Sequence, residues 1–227
     1  MLQDVAGAGT PESYFHQPSL ESWLTRYGLD AVQFAHPRLA LRAVIDAASR
    51  AGRGAGWKFG LRLQRQSFGF FVEQLRVLKP TLQTDKARIE ATFGRTLFIH
   101  LTRLDKVDQA VSVVKAQQSG LWHKAPDGTE IERLRAPQKL VYDAGALKAE
   151  FEEFVQADAD WCSWFDAENI QPLVISYEAL SSDPYKELAR VLRALGLDYS
   201  PTDQTALPVA KLSDAINRDW AARFRAQ

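Results

Sequence analysis

Apolar and polar residues follow helical and strand periods in turn along the chain. Apolar spacings of three and four predict helices over 37–51, 67–78, 145–168, 178–195 and 213–227, with a break near the start of 178–195 indicated by its serines and Pro184. Shorter helices are predicted at 19–28 and 85–93. Alternation or a short apolar run predicts strands at 57–63, 96–101 and 172–177. This succession of strands and helices favours an α/β layered fold with a parallel sheet and flanking helices.

Two segments lack a clear period. Residues 1–9, MLQDVAGAG, are typical of the last turns of a helix that closes at Gly7 or Gly9. Residues 120–144 contain two prolines and an Asp-Gly pair, and we expect an irregular loop there. Long loops in compact domains are often binding loops. Trp122 and His123 are therefore candidates to contact a ligand, and the alternative is a mobile surface loop anchored by Trp122.

The composition is that of a globular protein without a strong charge bias. The chain has 227 residues, of which 46% are hydrophobic and 25% charged. Lys and Arg number 28, and so do Asp and Glu. A balanced charge argues against nucleic acid as a partner. No linker or repeat divides the sequence, so one domain is expected.

Cysteine and hydropathy patterns indicate the compartment. Cys162 is the single cysteine of the sequence, so neither an internal disulfide nor a cysteine-based zinc site is expected, and no metal is predicted. No apolar run approaches about 18 residues, and the N-terminus has no signal-peptide pattern. We therefore expect a cytoplasmic protein without a membrane segment. The sequence does not give the oligomeric state, and a homodimer stays open.

The stretch from Arg95 to His123 has the pattern of a phosphate-binding unit. A strand ends at about Arg103, and a helix follows from about Asp105 to Gln118. Helix N-termini offer unpaired N–H groups and partial positive charge to an anion. Ser112 lies two turns into the helix, on its polar face. The alternative role for Arg103 is a structural ion pair with Asp105 or with the helix terminus.

Several segments together resemble a known family. RLDKVDQAVS at 103–112, followed by QQSGLWH at 117–123, resembles the 3′-phosphate-binding segment of sulfotransferases that use 3′-phosphoadenylyl sulfate. The resemblance is greatest to the bacterial trehalose 2-sulfotransferase family. It extends to four further segments, which are GTPESYF at 9–15, WKFGLRLQ at 57–64, DADWCSWF at 158–165 and VISYEALSSDP at 174–184.

The resemblance implies a reaction and a set of roles. Arg103 and Ser112 are the positions that match the family's ligands of the donor 3′-phosphate. A sulfuryl group would pass from 3′-phosphoadenylyl sulfate to a carbohydrate hydroxyl without a metal, and trehalose is the acceptor that the family name suggests. Glu12 is the available general base, although the family's glutamate may align with Ser13 instead. His16 is a further candidate base, and Trp122 and His123 are expected to contact the acceptor.

The resemblance also implies a fold and a missing part. The expected fold is a P-loop-NTPase-like sulfotransferase domain that covers residues 1–227. In the family, a first strand and a Ser/Gly-rich loop bind the 5′-phosphosulfate, and no such run or Walker-type motif occurs in this sequence. We therefore expect a domain that is incomplete at its N-terminus. Two hypotheses stay open, a sulfotransferase and a truncated, non-catalytic remnant that binds at most a nucleotide or a partner. A P-loop kinase fits less well, since no phosphate-loop lysine is visible.

Overall fold

A computed structural model describes residues 2, 5, 7–53, 57–198, 210 and 212–227. In chain order, the helices are α1 Leu20–Arg26, α2 Pro37–Arg53, α3 Arg65–Leu78, α4 Asp85–Phe93, α5 Lys106–Ser119, α6 Ala144–Ala167, α7 Tyr177–Ser182, α8 Pro184–Ala194 and α9 Ala215–Arg225. The strands are β1 Ile99–Thr102, β2 Leu121–Lys124, β3 Glu130–Arg133 and β4 Leu173–Ser176. This is a mixed α/β protein with a parallel sheet and flanking helices, as predicted.

The chain forms two compact units. The first consists of Met1–Ile99, Trp164–Leu173 and Tyr185–Asp203. The second consists of His100–Ser163, Val174–Pro184 and Gln204–Gln227. Strands β1 and β4 are neighbours in one sheet, and β2 and β3 form another.

An aromatic cluster forms the core of the first unit. Phe15 is fully buried, and its ring centroid lies 4.9 Å from that of Trp23 and 5.0 Å from that of Phe71. The apolar face of α2 is also buried, as its spacing predicted. Burial of each such side chain contributes about 1.5–3 kcal/mol, so this cluster fixes the loop that carries Phe15.

Helix α5 is at the centre of the second unit. Its residues Ala110, Val111 and Val114 are buried in a cluster with Leu147, Trp220 and Ala221. In the described structure its cluster partners come from α6 and α9, and this packing holds the polar face of α5 in place.

Residues 120–144 differ from the predicted irregular loop. Strands β2 and β3 pair antiparallel, with Leu121 opposite Arg133 and Lys124 opposite Glu130. The connection turns at Gly128, whose φ is 94°. The Asp-Gly pair was a hairpin signal, but each strand has only four residues. Such short segments give almost no period, and for that reason the prediction of a structureless loop was wrong here.

Other boundaries differ because strands need partners. The predicted strand at 96–101 begins only at Ile99, and the one at 57–63 is reduced to a bridge between Leu61 and Glu12. In the helix at 178–195, the break that the sequence predicted near its start is present at Asp183, in front of Pro184. The expected helix end at 1–9 lies partly outside the described residues, although Gly7 and Gly9 have positive φ. Within the described residues, no helix is long and apolar enough to cross a membrane.

Candidate functional site

The junction between β1 and α5 brings Arg103 and Ser112 together. Arg103 follows the last residue of β1, and Asp105 caps α5 by accepting a hydrogen bond from the Asp108 N–H at 2.9 Å. Ser112 lies two turns further on, and Arg103 Nη1 donates to Ser112 Oγ at 3.4 Å. Both residues predicted to hold a phosphate therefore face one another in the second unit.

The Arg103 guanidinium is largely enclosed. Its side chain is 17% exposed, and its central carbon lies 4.4 Å from the centroid of the Tyr177 ring. Its Nη2 lies 3.9 Å from Asp108 Oδ2. Its Nε is buried and has no hydrogen-bond partner among the described residues. A buried charged donor without an acceptor carries an uncompensated desolvation cost, so this nitrogen has unused hydrogen-bonding capacity.

The two residues that lead into α5 donate their N–H groups to a carboxylate of the protein. The Glu178 carboxylate accepts hydrogen bonds from the N–H groups of Leu104 and Asp105, at 3.1 and 3.3 Å. Burial raises the pKa of Glu178, but these N–H donors and the charge of Arg103 outweigh burial and leave its pKa below the usual value. A carboxylate of the protein thus already occupies part of the helix terminus.

Arg225 is a second arginine near this junction. Its Nη2 lies 2.6 Å from Asp105 Oδ2 and 3.1 Å from Asp108 Oδ1. In the alternative role of Arg103, Asp105 was its ion-pair partner, whereas in the structure Asp105 pairs with Arg225. Sequence reasoning missed Arg225 because it lies 120 residues from Asp105, and the available signal was a cation in the last turn of α9.

A partly buried polar cluster supports the backbone of Arg103. Lys106 Nζ donates to the Asp158 carboxylate and, at 2.6 Å, to the Arg103 carbonyl. Thr102 Oγ1 donates to the same carboxylate at 2.5 Å, and His100 Nε2 lies 3.7 Å from it. Asp158, contributed by α6, therefore links the end of β1 to the start of α5. Sequence reasoning did not single out Lys106 or Asp158 as site residues.

Glu12 lies in the first unit, at the bridge with Leu61. Its carboxylate is about half exposed and pairs with Arg26 at 3.4 Å. The neighbouring Ser13 hydroxyl accepts hydrogen bonds from Arg62 Nε at 2.9 Å and Gln64 Nε2 at 2.6 Å. Glu12 is thus accessible, whereas the Ser13 hydroxyl has two donors directed at it.

Trp122 and His123 lie on β2 in the second unit. Trp122 is half-buried, and His123 Nδ1 contacts the Glu132 carboxylate on β3. No hydrogen bond or ring contact in the described part of the chain links either residue to Arg103 or Ser112. Across the residues that the structure describes, no three His, Cys, Asp or Glu side chains form a group that could hold a metal.

The fold and the junction define an α/β protein with an arginine and a serine at a strand-to-helix transition. The chain matches the Stf0 sulphotransferase family over residues 1–227, and it therefore belongs to that family. The resemblance drawn from the sequence is confirmed at this level.

Two curated relatives are trehalose 2-sulfotransferases. The one from Mycobacterium tuberculosis strain Erdman is 30% identical over 143 residues, which are 63% of this chain and 51% of the relative. The one from Mycolicibacterium smegmatis is 30% identical over 129 residues, which are 57% of this chain and 45% of the relative. The chain spans about half the length of these curated relatives.

Proposed function

We propose that this protein is a sulfotransferase that uses 3′-phosphoadenylyl sulfate and a carbohydrate acceptor, with trehalose as the first acceptor to test. Family membership supports the reaction class, and the names of the two relatives support the acceptor. The observation that carries the proposal is the Arg103–Ser112 pair, with the unpartnered Arg103 Nε beside it.

In this proposal, Arg103 and Ser112 bind the 3′-phosphate of the donor. The guanidinium offers charged N–H donors, and the Ser112 hydroxyl, which now donates to the Asp108 carbonyl at 2.8 Å, can turn toward the phosphate. A charge-assisted hydrogen bond contributes about 1.5–3 kcal/mol. Loss of Arg103 should therefore weaken nucleotide binding roughly 10- to 100-fold.

The reaction transfers a sulfuryl group directly to the acceptor. A bond forms between the acceptor oxygen and sulfur while the bond from sulfur to the bridging phosphate oxygen breaks, and 3′,5′-bisphosphoadenosine leaves. Glu12 takes the hydroxyl proton, which its exposed carboxylate permits. Glu12→Gln should lower the transfer rate about 100-fold or more with unchanged affinity for bisphosphoadenosine. An unchanged rate in a radiolabelled sulfate-transfer assay would exclude Glu12, and Glu21→Gln, the same change at an exposed glutamate on α1, is the matched control.

Trp122 and His123 are proposed to contact the acceptor. A half-buried indole can stack on a sugar ring, and the His123 imidazole can exchange a hydrogen bond with a hydroxyl. Trp122→Leu should weaken trehalose binding several-fold in a fluorescence titration, and Trp122→Phe should retain most of the affinity. Equal affinity in all three proteins would exclude stacking on Trp122.

Both compact units are assigned to one sulfotransferase domain with the P-loop-NTPase-like fold of that enzyme class. No Ser/Gly-rich loop of the kind that binds the 5′-phosphosulfate in this enzyme class occurs within residues 1–227. Donor recognition by this chain is therefore expected to depend on the 3′-phosphate.

Calorimetry with two nucleotides tests this assignment. The chain should bind 3′,5′-bisphosphoadenosine in the micromolar range and should bind adenosine 5′-phosphate, which lacks the 3′-phosphate, at least tenfold more weakly. Arg103→Ala should abolish this difference, whereas Arg218→Ala, which removes an exposed arginine on α9, should preserve it. Equal affinity of the wild-type chain for both nucleotides would contradict the proposed site.

A further inference from the structure

Tyr177 and Glu178 follow β4 directly, and both contact the junction between β1 and α5. Glu178 accepts hydrogen bonds from the N–H groups of Leu104 and Asp105, the two residues after Arg103. Tyr177 places its ring 4.4 Å from the Arg103 guanidinium carbon. Two consecutive residues thus hold the backbone that follows Arg103 and one face of its side chain.

We propose that Tyr177 and Glu178 are positioning residues that fix Arg103 for phosphate binding, an inference that rests on the proposed function. The two hydrogen bonds to Glu178 restrict the peptide groups between Arg103 and α5. The contact with Tyr177 is a cation–π interaction that restricts the plane of the guanidinium. An arginine that is already ordered loses less conformational entropy when phosphate binds.

The proposal also fixes how the phosphate is recognised. Glu178 uses the N–H groups of Leu104 and Asp105, so these donors are not directed at the ligand. The phosphate is instead held by the side chains of Arg103 and Ser112. Glu178 contributes by arranging Arg103, without contact to the nucleotide.

The variant Glu178→Gln distinguishes a positioning role of Glu178 from a purely electrostatic effect of its charge on nucleotide binding. A carboxylate near an anion site repels phosphate, so charge alone predicts that Glu178→Gln tightens nucleotide binding. Positioning predicts weaker binding, because a neutral glutamine oxygen accepts more weakly than a carboxylate and the second oxygen, which accepts from the Leu104 N–H, becomes an N–H₂ group. The two accounts predict changes of opposite sign in Kd.

Calorimetry with 3′,5′-bisphosphoadenosine measures that sign. Glu178→Gln and Tyr177→Leu should each raise Kd at least fivefold. Tyr177→Phe, which keeps the ring, and Glu152→Gln, which neutralises an exposed glutamate on α6, should stay within twofold of the wild type. Wild-type or tighter binding by Glu178→Gln would overturn the proposal. If the wild type also binds the nucleotide and Arg103→Ala does not, that outcome refutes only the positioning role of Glu178, and the proposed function stands.

A second measurement needs no ligand and therefore does not depend on the proposed function. The Arg103 Nε–H is buried in the folded chain, so its NMR signal should exchange slowly with water. Exchange should be at least tenfold faster in Glu178→Gln and in Tyr177→Leu, at temperatures where circular dichroism shows both variants folded. Unchanged exchange in the folded variants would refute the positioning role even if the chain bound no nucleotide.

Discussion

At the scale of single residues, the Lys106 ammonium shows how the junction is supported. Its side chain is 12% exposed, and its partners are Asp158, Thr102 and the Arg103 carbonyl. A largely buried ammonium without its carboxylate would keep most of its desolvation penalty. The pair therefore matters mainly because removing one member leaves the other charge uncompensated.

Replacement of Asp158 tests that dependence. Asp158→Ala should lower the free energy of unfolding by about 1–3 kcal/mol, since it leaves Lys106 without its carboxylate. The exposed pair of Lys148 and Glu152, separated by 3.8 Å, is a matched control on the same helix. Glu152→Ala should change stability by less than about 0.5 kcal/mol. If both variants lowered the free energy of unfolding equally in urea, the burial of Lys106 would not explain the effect of Asp158→Ala.

The two junction residues that the sequence predicted, Arg103 and Ser112, lie close together in the chain. Arg103 and Ser112 are nine positions apart and could be placed on one site from helical geometry alone. Glu178, Arg225 and Asp158 reach the same junction from 74, 120 and 52 residues away. Their roles depend on which elements pack together, and a periodic pattern carries no such information.

At the scale of elements, two glycines have opposite roles. Gly120 ends α5 with a φ of 73°, and a Cβ added there would lie 2.4 Å from the Arg135 carbonyl oxygen. Gly69 lies within α3, and a Cβ there would have no atom within 4 Å. A left-handed conformation requires glycine at the first position, whereas nothing in the fold requires it at the second.

Alanine substitutions should therefore change stability in opposite directions. Gly120→Ala should destabilise the chain by at least about 1 kcal/mol, because it combines a strained φ with a steric clash. Gly69→Ala should stabilise it by about 0.5–1 kcal/mol through better helix propensity. Thermal unfolding of both variants measures the difference, and a stabilised Gly120→Ala protein would refute the helix end described here.

Helices were predicted better than strands because their hydrogen bonds are local. The predicted bounds of α4, 85–93, agree with the structure, and those of α3 differ by two residues at the start. Strands depend on partners elsewhere in the chain. The extended sequence at 96–98 and the one at 57–63 therefore formed less strand than their residues favoured, and the β2–β3 hairpin was missed.

At the scale of the whole molecule, the family match covers the entire chain, whereas the candidate phosphate site is formed by residues of one unit. The match to the Stf0 sulphotransferase family covers residues 1–227, and the two relatives share about half of their own length with the chain. Arg103, Ser112, Tyr177 and Glu178 all belong to the second unit. In the proposed function, recognition of the 3′-phosphate is therefore assigned to residues of the second unit alone.

A crystal structure of the chain with 3′,5′-bisphosphoadenosine is the most direct test of the central claim. The 3′-phosphate should lie within hydrogen-bond distance of the Arg103 guanidinium and the Ser112 hydroxyl, and Glu178 should keep its bonds to Leu104 and Asp105. A 3′-phosphate bound elsewhere, with Arg103 still stacked on Tyr177 and no ligand at its Nε, would contradict the assignment of this junction as the donor site.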